Sequence, residues 1–236
     1  MQRLVLISDL HGQLPSQLPE GDILIVAGDL CPWQDHSLDH QRAFIEGPFH
    51  DWLAVQPYSH KVGIAGNHDF IAQDEAGSQL LGSLPWHYLH DSGTEIAGLN
   101  FWGSPHVLSF ADWAFELDEH ELQTIWNSIP ADADVVITHG PAYGAGDAGS
   151  HGPSLGSTSL RQRLIEISPV LHVTGHVHES HGRYEIARTA SINASVHGHA
   201  NQVLDYCWVA EIEKTSSRVS FNQLPIGGWT CGSGGL

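Results

Sequence analysis

Positive charge, cysteine and long apolar runs are all scarce in this chain. Only nine of its 236 residues are Lys or Arg, against 27 Asp or Glu, so the formal net charge is -18. Such a balance works against sequence-independent binding of duplex nucleic acid, which depends on many basic contacts to phosphates. The three cysteines, Cys31, Cys207 and Cys231, are odd in number and match neither a disulfide framework nor a thiolate metal site. No apolar run reaches the length of a membrane span. The opening run Leu4 to Ile7 is too short for the hydrophobic region of a secretory signal. These absences make a cytoplasmic protein, away from membranes, the expectation.

What is present points to a folded chain. A hydrophobic fraction of 41% and eight tryptophans mark a globular protein able to bury a core without disulfides. The length fits one domain over residues 1–236, and only the end, GGWTCGSGGL from about residue 226, is loose enough in composition to read as a mobile tail.

Five runs of β-branched and aliphatic residues read as strands buried on both faces: Leu4 to Ile7, Ile23 to Ala27, Val62 to Ala65, Val135 to Thr138 and Val170 to Thr174. Helical patterns lie between them. Residues 38–56 are amphipathic, with Pro48 marking a break. Asp118 and Glu121 form a capping-box signature ahead of Leu122, Ile125, Trp126 and Ile129. Leu160, Leu164 and Ile167 follow a candidate N-cap at Ser157 or Ser159. Residues 86–103 read as a meander, and strands continue after residue 183 without helices, so the sheets are expected to be mixed. Trp102, Trp113 and Trp126 read as core.

Each of the five runs ends in potential metal ligands: Asp9 and His11, Asp29, Asn67, His139, and His176 and His178. The carboxyl ends of strands in open α/β sheets form the binding crevice, so these groups can converge. Carboxylate and amide oxygens with several imidazoles and no thiolate suit first-row ions such as Mn, Fe, Co or Zn rather than Ca or Mg. Seven ligand candidates exceed the needs of one ion. Two metal ions are therefore expected, an arrangement that clamps the oxygens of a phosphoryl transfer and acidifies a bound water.

In order, Asp9-x-His11, Gly28-Asp29, Gly66-Asn67-His68-Asp69, Thr138-His139-Gly140 and Gly175-His176-x-His178 resemble the five motifs of the calcineurin-like metallophosphoesterase superfamily. The stretches WLAVQPYSHKVGIAGNHDF, THGPAYGAGD, GHVHESHGR and INASV resemble its small MPPED-type, class III cyclic-nucleotide-phosphodiesterase-like branch. The resemblance implies an α/β fold, a four-layered αββα sandwich of two mixed β-sheets flanked by helices. It implies Asp9, His11, Asp29 and His178 on one metal, and Asp29, Asn67, His139 and His176 on the other. His68 would be the catalytic non-ligand histidine and a metal-bridging hydroxide the attacking group. A neutral Asn67 in place of an acid would keep the centre attractive to an anionic phosphate.

One departure stands out. Many members read Gly-Asp-x-x-Asp-Arg at the second motif, the later acid orienting the catalytic histidine; here Pro32 and Trp33 occupy those positions. The orienting partner of His68 is left unassigned. Asp69 either holds His68 by a hydrogen bond or caps the following turn. His106, in the turn Gly103-Ser104-Pro105-His106, is within reach of the cleft and with Asp69 completes the substrate-contact candidates. The remaining histidines read as surface or core residues, and Cys31 as a buried inert thiol.

The function expected is that of a dinuclear metal-dependent phosphodiesterase hydrolysing small phosphodiesters such as cyclic nucleotides. A phosphomonoesterase or protein phosphatase, and a non-catalytic nucleotide-binding regulator, are the alternatives.

Overall fold

The structure is a computed structural model, describing residues 1–149, 154–213 and 218–231. Its first part contains β1 (Gln2–Ile7), β2 (Gln13–Gln17), β3 (Ile23–Ala27), α1 (Leu38–Phe44), α2 (His50–Val55), β4 (His60–Ile64) and α3 (Glu75–Ser83). The middle holds β5 (His87–Tyr88), β6 (Ser92–Ile96), β7 (Leu99–Ser104), β8 (Val107–Leu108), β9 (Glu116–Leu117), α4 (Glu119–Asn127) and β10 (Val135–Thr138). After α5 (Thr158–Ile167) come β11 (Leu171–Thr174), β12 (Gly182–Ile186), β13 (Thr189–Asn193), β14 (Tyr206–Glu213), β15 (Arg218–Pro225) and β16 (Gly227–Cys231).

Two six-stranded sheets form, in the orders β15-β14-β1-β3-β4-β5 and β12-β13-β11-β10-β7-β6. Each is mixed. In the first, β1, β3, β4 and β5 are parallel and β14 runs antiparallel to both β1 and β15; in the second, β7, β10, β11 and β13 are parallel and flanked by antiparallel β6 and β12.

Alternation along each strand builds the layers. In β1 and β3, Leu4, Leu6, Ile23 and Ile25 pack with Phe101, Val135, Ile137, Leu171 and Val173 of the facing sheet. Their neighbours Val5, Ile7, Leu24 and Val26 point the other way, against Phe44, Phe49, Trp52 and Leu81 of the first helical layer. Across the second sheet, Trp102 and Val136 pack with Leu122, Trp126, Leu160 and Leu164 of α4 and α5. The result is a four-layered αββα sandwich, and it explains why the five strand runs carry apolar side chains on both faces.

Local signals hold in detail. Asp118 and Glu121 make the full capping box, and Ser157 caps α5 by accepting from the Leu160 N–H. Between α1 and α2, residues Ile45–Phe49 form a π-turn around Pro48, which lacks the N–H a regular turn would use. Trp102 and Trp126 are buried, whereas Trp113 is half exposed and lies against His68, not in the core. The tail expected from about residue 226 is ordered through Gly227–Cys231, which pair antiparallel with β2; residues 232–236 lie outside the described residues. Among the described residues no helix is long and apolar enough to cross a membrane.

These layers set the stability ranking. Replacing Ile25, fully buried between the sheets, by Ala should cost about 2–5 kcal/mol in denaturant unfolding. Asp118→Ala, which removes the acceptor lying 2.8 Å from the Glu121 N–H, should cost about 1 kcal/mol. Equal losses from the two substitutions would contradict the sheet-on-sheet core.

Candidate metal centre

All seven ligand candidates converge at one edge, where the parallel strands of both sheets end. The loops there are held by each other: the Asp9 N–H donates to the Gly28 carbonyl at 3.0 Å, and the His11 N–H to the Asp29 carbonyl at 2.9 Å. Four of the seven residues occupy the left-handed backbone region, Asp9 at φ 59°, His11 at 46°, Asp29 at 52° and His176 at 69°. Each such residue costs about 1–2 kcal/mol in its own backbone. Strain of this kind gathers where side-chain placement is over-determined by surrounding contacts. The motif glycines serve the same end by close approach, since a Cβ at Gly66 would collide with the Asp29 carboxylate and one at Gly175 with Ser8 and Asp9.

Asp29 is the middle of the cluster. Its Oδ2 lies 3.6 Å from His11 Nε2, and its Oδ1 lies 3.3 Å from His139 Nε2 while accepting the His68 backbone N–H at 2.8 Å. On the His11 side, His178 Nε2 is 3.1 Å from His11 Nε2 and 3.3 Å from Asp9 Oδ1. On the other side, Asn67 Oδ1 is 3.0 Å from His139 Nε2 and 2.7 Å from His176 Nδ1. Two donor sets thus flank one carboxylate.

The outer atoms of the imidazoles decide what the inner ones present. His139 Nδ1 faces the Ala27 carbonyl at 2.8 Å and His178 Nδ1 faces the Asn201 side-chain oxygen at 2.9 Å. Those oxygens only accept, so each Nδ1 carries the hydrogen and a neutral ring turns its Nε2 lone pair inward. His139 Nε2 then confronts the oxygens of Asp29 and Asn67, acceptor against acceptor, in a place fully shielded from water. Such a cluster needs positive charge inside it. His176 Nε2 is also buried with no partner among the described residues. The donor set and its frustrated acceptors fit divalent metal ions.

Titration shows the same demand. Burial pushes His139 and His178 down, yet Asp29 outweighs it for His139 and Asp9 for His178, and both rise to about 9. Burial leads in lowering His11 and His176 to about 3. Asp9 and Asp29, which burial would raise, are held below the usual carboxylate range by His178 and His139 respectively. Cations bound here would take over the charge that protons on His139 and His178 supply.

His68 stands half-buried at the side of the cluster. Its Nδ1 is 3.3 Å from His36 Nε2, and its ring lies 4.3 Å from Trp113 and 4.8 Å, edge-on, from His11. His36 is the side chain that the His68 Nδ1 meets where other members of the family are expected to carry an acid. Gln41, wholly buried, donates to the His68 carbonyl at 2.7 Å.

The two substrate-contact candidates, Asp69 and His106, have other partners in the structure. Asp69 is fully buried and accepts from the backbone N–H groups of Leu30, Cys31 and Gly66 at 2.8–3.1 Å, so it ties the loop after β4 to the loop after β3. It neither reaches the His68 ring nor meets solvent. Burial and the Asp29 charge raise its carboxyl above the usual value, with the three N–H groups opposing them. His106 pairs with Asp91 at 3.1 Å and with the Phe115 carbonyl, in a cluster that shares no residue with the cleft. Cys31 is buried, and burial, then Asp69, raises its thiol well above the ordinary range, which fits an inert residue.

Sequence reading passed over several neighbours. His197 is buried, its Nδ1 2.7 Å from the Asp9 carbonyl and its ring 5.4 Å from His178. Trp33 stacks on His11 at 4.5 Å, and Phe110, 48% exposed, lies edge-on to His176 at 5.3 Å. None of these sits at the end of an apolar run, the one signal that picked out the ligand candidates.

Comparison with known proteins agrees with the geometry. Residues 2–180 match the family model described as calcineurin-like phosphoesterase. Human metallophosphoesterase domain-containing protein 1 is 32% identical over 221 residues, covering 82% of this chain and 66% of that protein. A UPF0046 protein of Caenorhabditis elegans is 30% identical over 238 residues, 86% of this chain and 57% of its own length. The chain thus spans under two thirds of each of these relatives. A crystal structure from Thermus thermophilus aligns over 94% of this chain and 98% of that one with a TM-score of 0.57 at 12% identity, a likeness of fold. The five strand-end motifs, the αββα layers and the match over residues 2–180 lead to one conclusion: the chain belongs to the calcineurin-like phosphoesterase family, metal-dependent hydrolases of phosphate esters.

Proposed function

We propose that the protein is a dinuclear metal-dependent phosphodiesterase acting on small phosphodiesters, cyclic nucleotides among them. The observation that carries the reading is the Asp29 carboxylate flanked by two donor sets, Asp9, His11 and His178 on one side and Asn67, His139 and His176 on the other. Ions of the Mn, Fe, Zn or Co class, when bound there, supply Lewis acidity and lower the pKa of water.

The chain's own residues do the rest. With Nδ1 turned to His36, the opposite ring nitrogen of His68 is the one free to give a proton to the leaving oxygen of a phosphate ester. Trp113 holds the ring plane, and the Asp29 bond to the His68 N–H fixes its backbone beside the cluster. Asn67 contributes an oxygen without a negative charge, which favours an anionic substrate. Trp33, Trp113 and the exposed Phe110 line the rim with aromatic faces suited to a planar base or other flat leaving group. Pro32 and Trp33 in place of an acid and an arginine disfavour the protein phosphatase reading.

Loaded with Mn, the protein should hydrolyse 2′,3′- or 3′,5′-cyclic nucleotides or a chromogenic diester faster than the corresponding monoesters. No metal-dependent turnover of any diester would sink the proposal. Tight nucleotide binding without turnover would mark a regulator instead.

The side-chain roles separate by readout. Asp29→Ala should lose metal on elemental analysis together with activity, and normal metal content would remove its central role. His68→Ala should keep its metal while kcat falls by about 10²–10⁴-fold. His36→Ala should lower kcat less, with KM and metal content unchanged; a rate equal to wild type would take His36 out of the mechanism.

Asp69→Ala should act through folding. It strands three buried N–H groups, at about 1–3 kcal/mol each, so a thermal midpoint equal to wild type would refute the assignment.

A further inference from the structure

The cluster around His106 lies beside the cleft, the His106 carbonyl accepting the Gly140 N–H at 3.4 Å, and shares no ligand candidate with it. The strands β6 and β7 pair antiparallel with Ser92 opposite Gly103, so residues just before Ser92 and just after Gly103 meet at one end of the hairpin. His106 Nε2 lies 3.1 Å from Asp91 Oδ2, and His90 Nε2 lies 4.0 Å from the same oxygen. Ligand atoms of all three residues fall within 4.8 Å of one another. The side chains are 13–30% exposed, open enough for an ion and water to enter.

Both ring nitrogens of His106 face acceptors. Nδ1 is 3.3 Å from the Phe115 carbonyl and Nε2 3.1 Å from the Asp91 carboxylate, and neither oxygen can donate. A single neutral imidazole cannot satisfy both, so a cation between Nε2 and the carboxylate, a proton or a metal ion, is what the geometry calls for. The second carboxylate oxygen, Asp91 Oδ1, is buried, and the Ser104 side chain also bonds the carboxylate. Asp91 is also in the left-handed region, with φ 47°, as four residues of the metal cleft are.

We propose that His90, Asp91 and His106 form a separate site for a divalent cation of the zinc class, with water completing its coordination. Two imidazole nitrogens and one carboxylate oxygen are a donor set for zinc rather than for calcium or magnesium. Tetrahedral bonds of about 2.0–2.2 Å put neighbouring donors about 3.3–3.6 Å apart, between the two distances seen around Asp91 Oδ2.

The site bears on the cleft indirectly. Through the Phe115 carbonyl it grips the segment between β8 and β9, which carries Trp113 against His68 and donates the Ala114 N–H to the Asn67 carbonyl at 3.1 Å. An ion here would fix one anchor of that strap without touching the reacting groups.

The test counts metal in the whole chain. After saturation with zinc and gel filtration, elemental analysis should find one equivalent fewer per chain in His90→Ala/His106→Ala than in wild type. Asp91→Asn, which preserves size and guards against loss of fold, should lose the same equivalent. Because Asp29→Ala empties the cleft and not this site, adding Asp91→Asn to it should remove a further equivalent, so failure here is distinguishable from failure of the cleft assignment. Equal zinc content in wild type, Asp91→Asn and the double variant would overturn the proposal and leave an ion pair only.

Discussion

The rest of the cleft depends on one electrostatic constraint: a buried Asp29 carboxylate faced by imidazole nitrogens, with the His139 hydrogen already committed to the Ala27 carbonyl. A carboxylate removed from water is costly unless positive charge or donors meet it. Here the outward hydrogen bonds of His139 and His178 turn acceptor atoms inward, so the polypeptide by itself cannot satisfy the centre without protonating those rings. The resulting demand for cations follows from the carbonyl of Ala27 and the amide oxygen of Asn201 as directly as from the ligands themselves.

The fold meets the cost of holding that arrangement in two ways. Strands apolar on both faces lock two mixed sheets between helical layers, so the loops at one edge start from rigid positions. Those loops are then cross-tied by backbone and buried polar groups. Asp69 binds three N–H groups from two loops, Gln41 grips the His68 carbonyl and the Ile71 N–H, and Ser8 bonds the Ala27 carbonyl. Four left-handed residues persist because these ties outweigh their local strain.

How far the sequence could be read differed by residue. The layers were legible because burial on both faces leaves an unbroken apolar run, and the capping box of α4 because its two partners are three residues apart. The seven ligand candidates were legible because each follows such a run. Asp69 was not: its three partners lie in a loop 38 and 39 residues away and in its own turn, and its neighbour His68 invited a different role. Trp113 looked like core because large aromatics usually are; its place against His68 is set by the Ala114 bond to Asn67, which no periodicity reveals. The strand at Gly227–Cys231 was hidden for a similar reason, since its glycines weaken any strand pattern and its partner β2 is some two hundred residues distant in sequence.

The sequence by itself determined the order and chemistry of the donors, the apolar strands and the helix caps, because each is a property of a few adjacent residues. Tertiary structure alone decided which donors share a cleft, that His36 rather than an acid meets His68, and that His106 belongs with Asp91. Those outcomes depend on side-chain direction at left-handed backbone positions and on loops from separate strands meeting at one edge. Neither is encoded in local spacing; both arise when the two sheets pack.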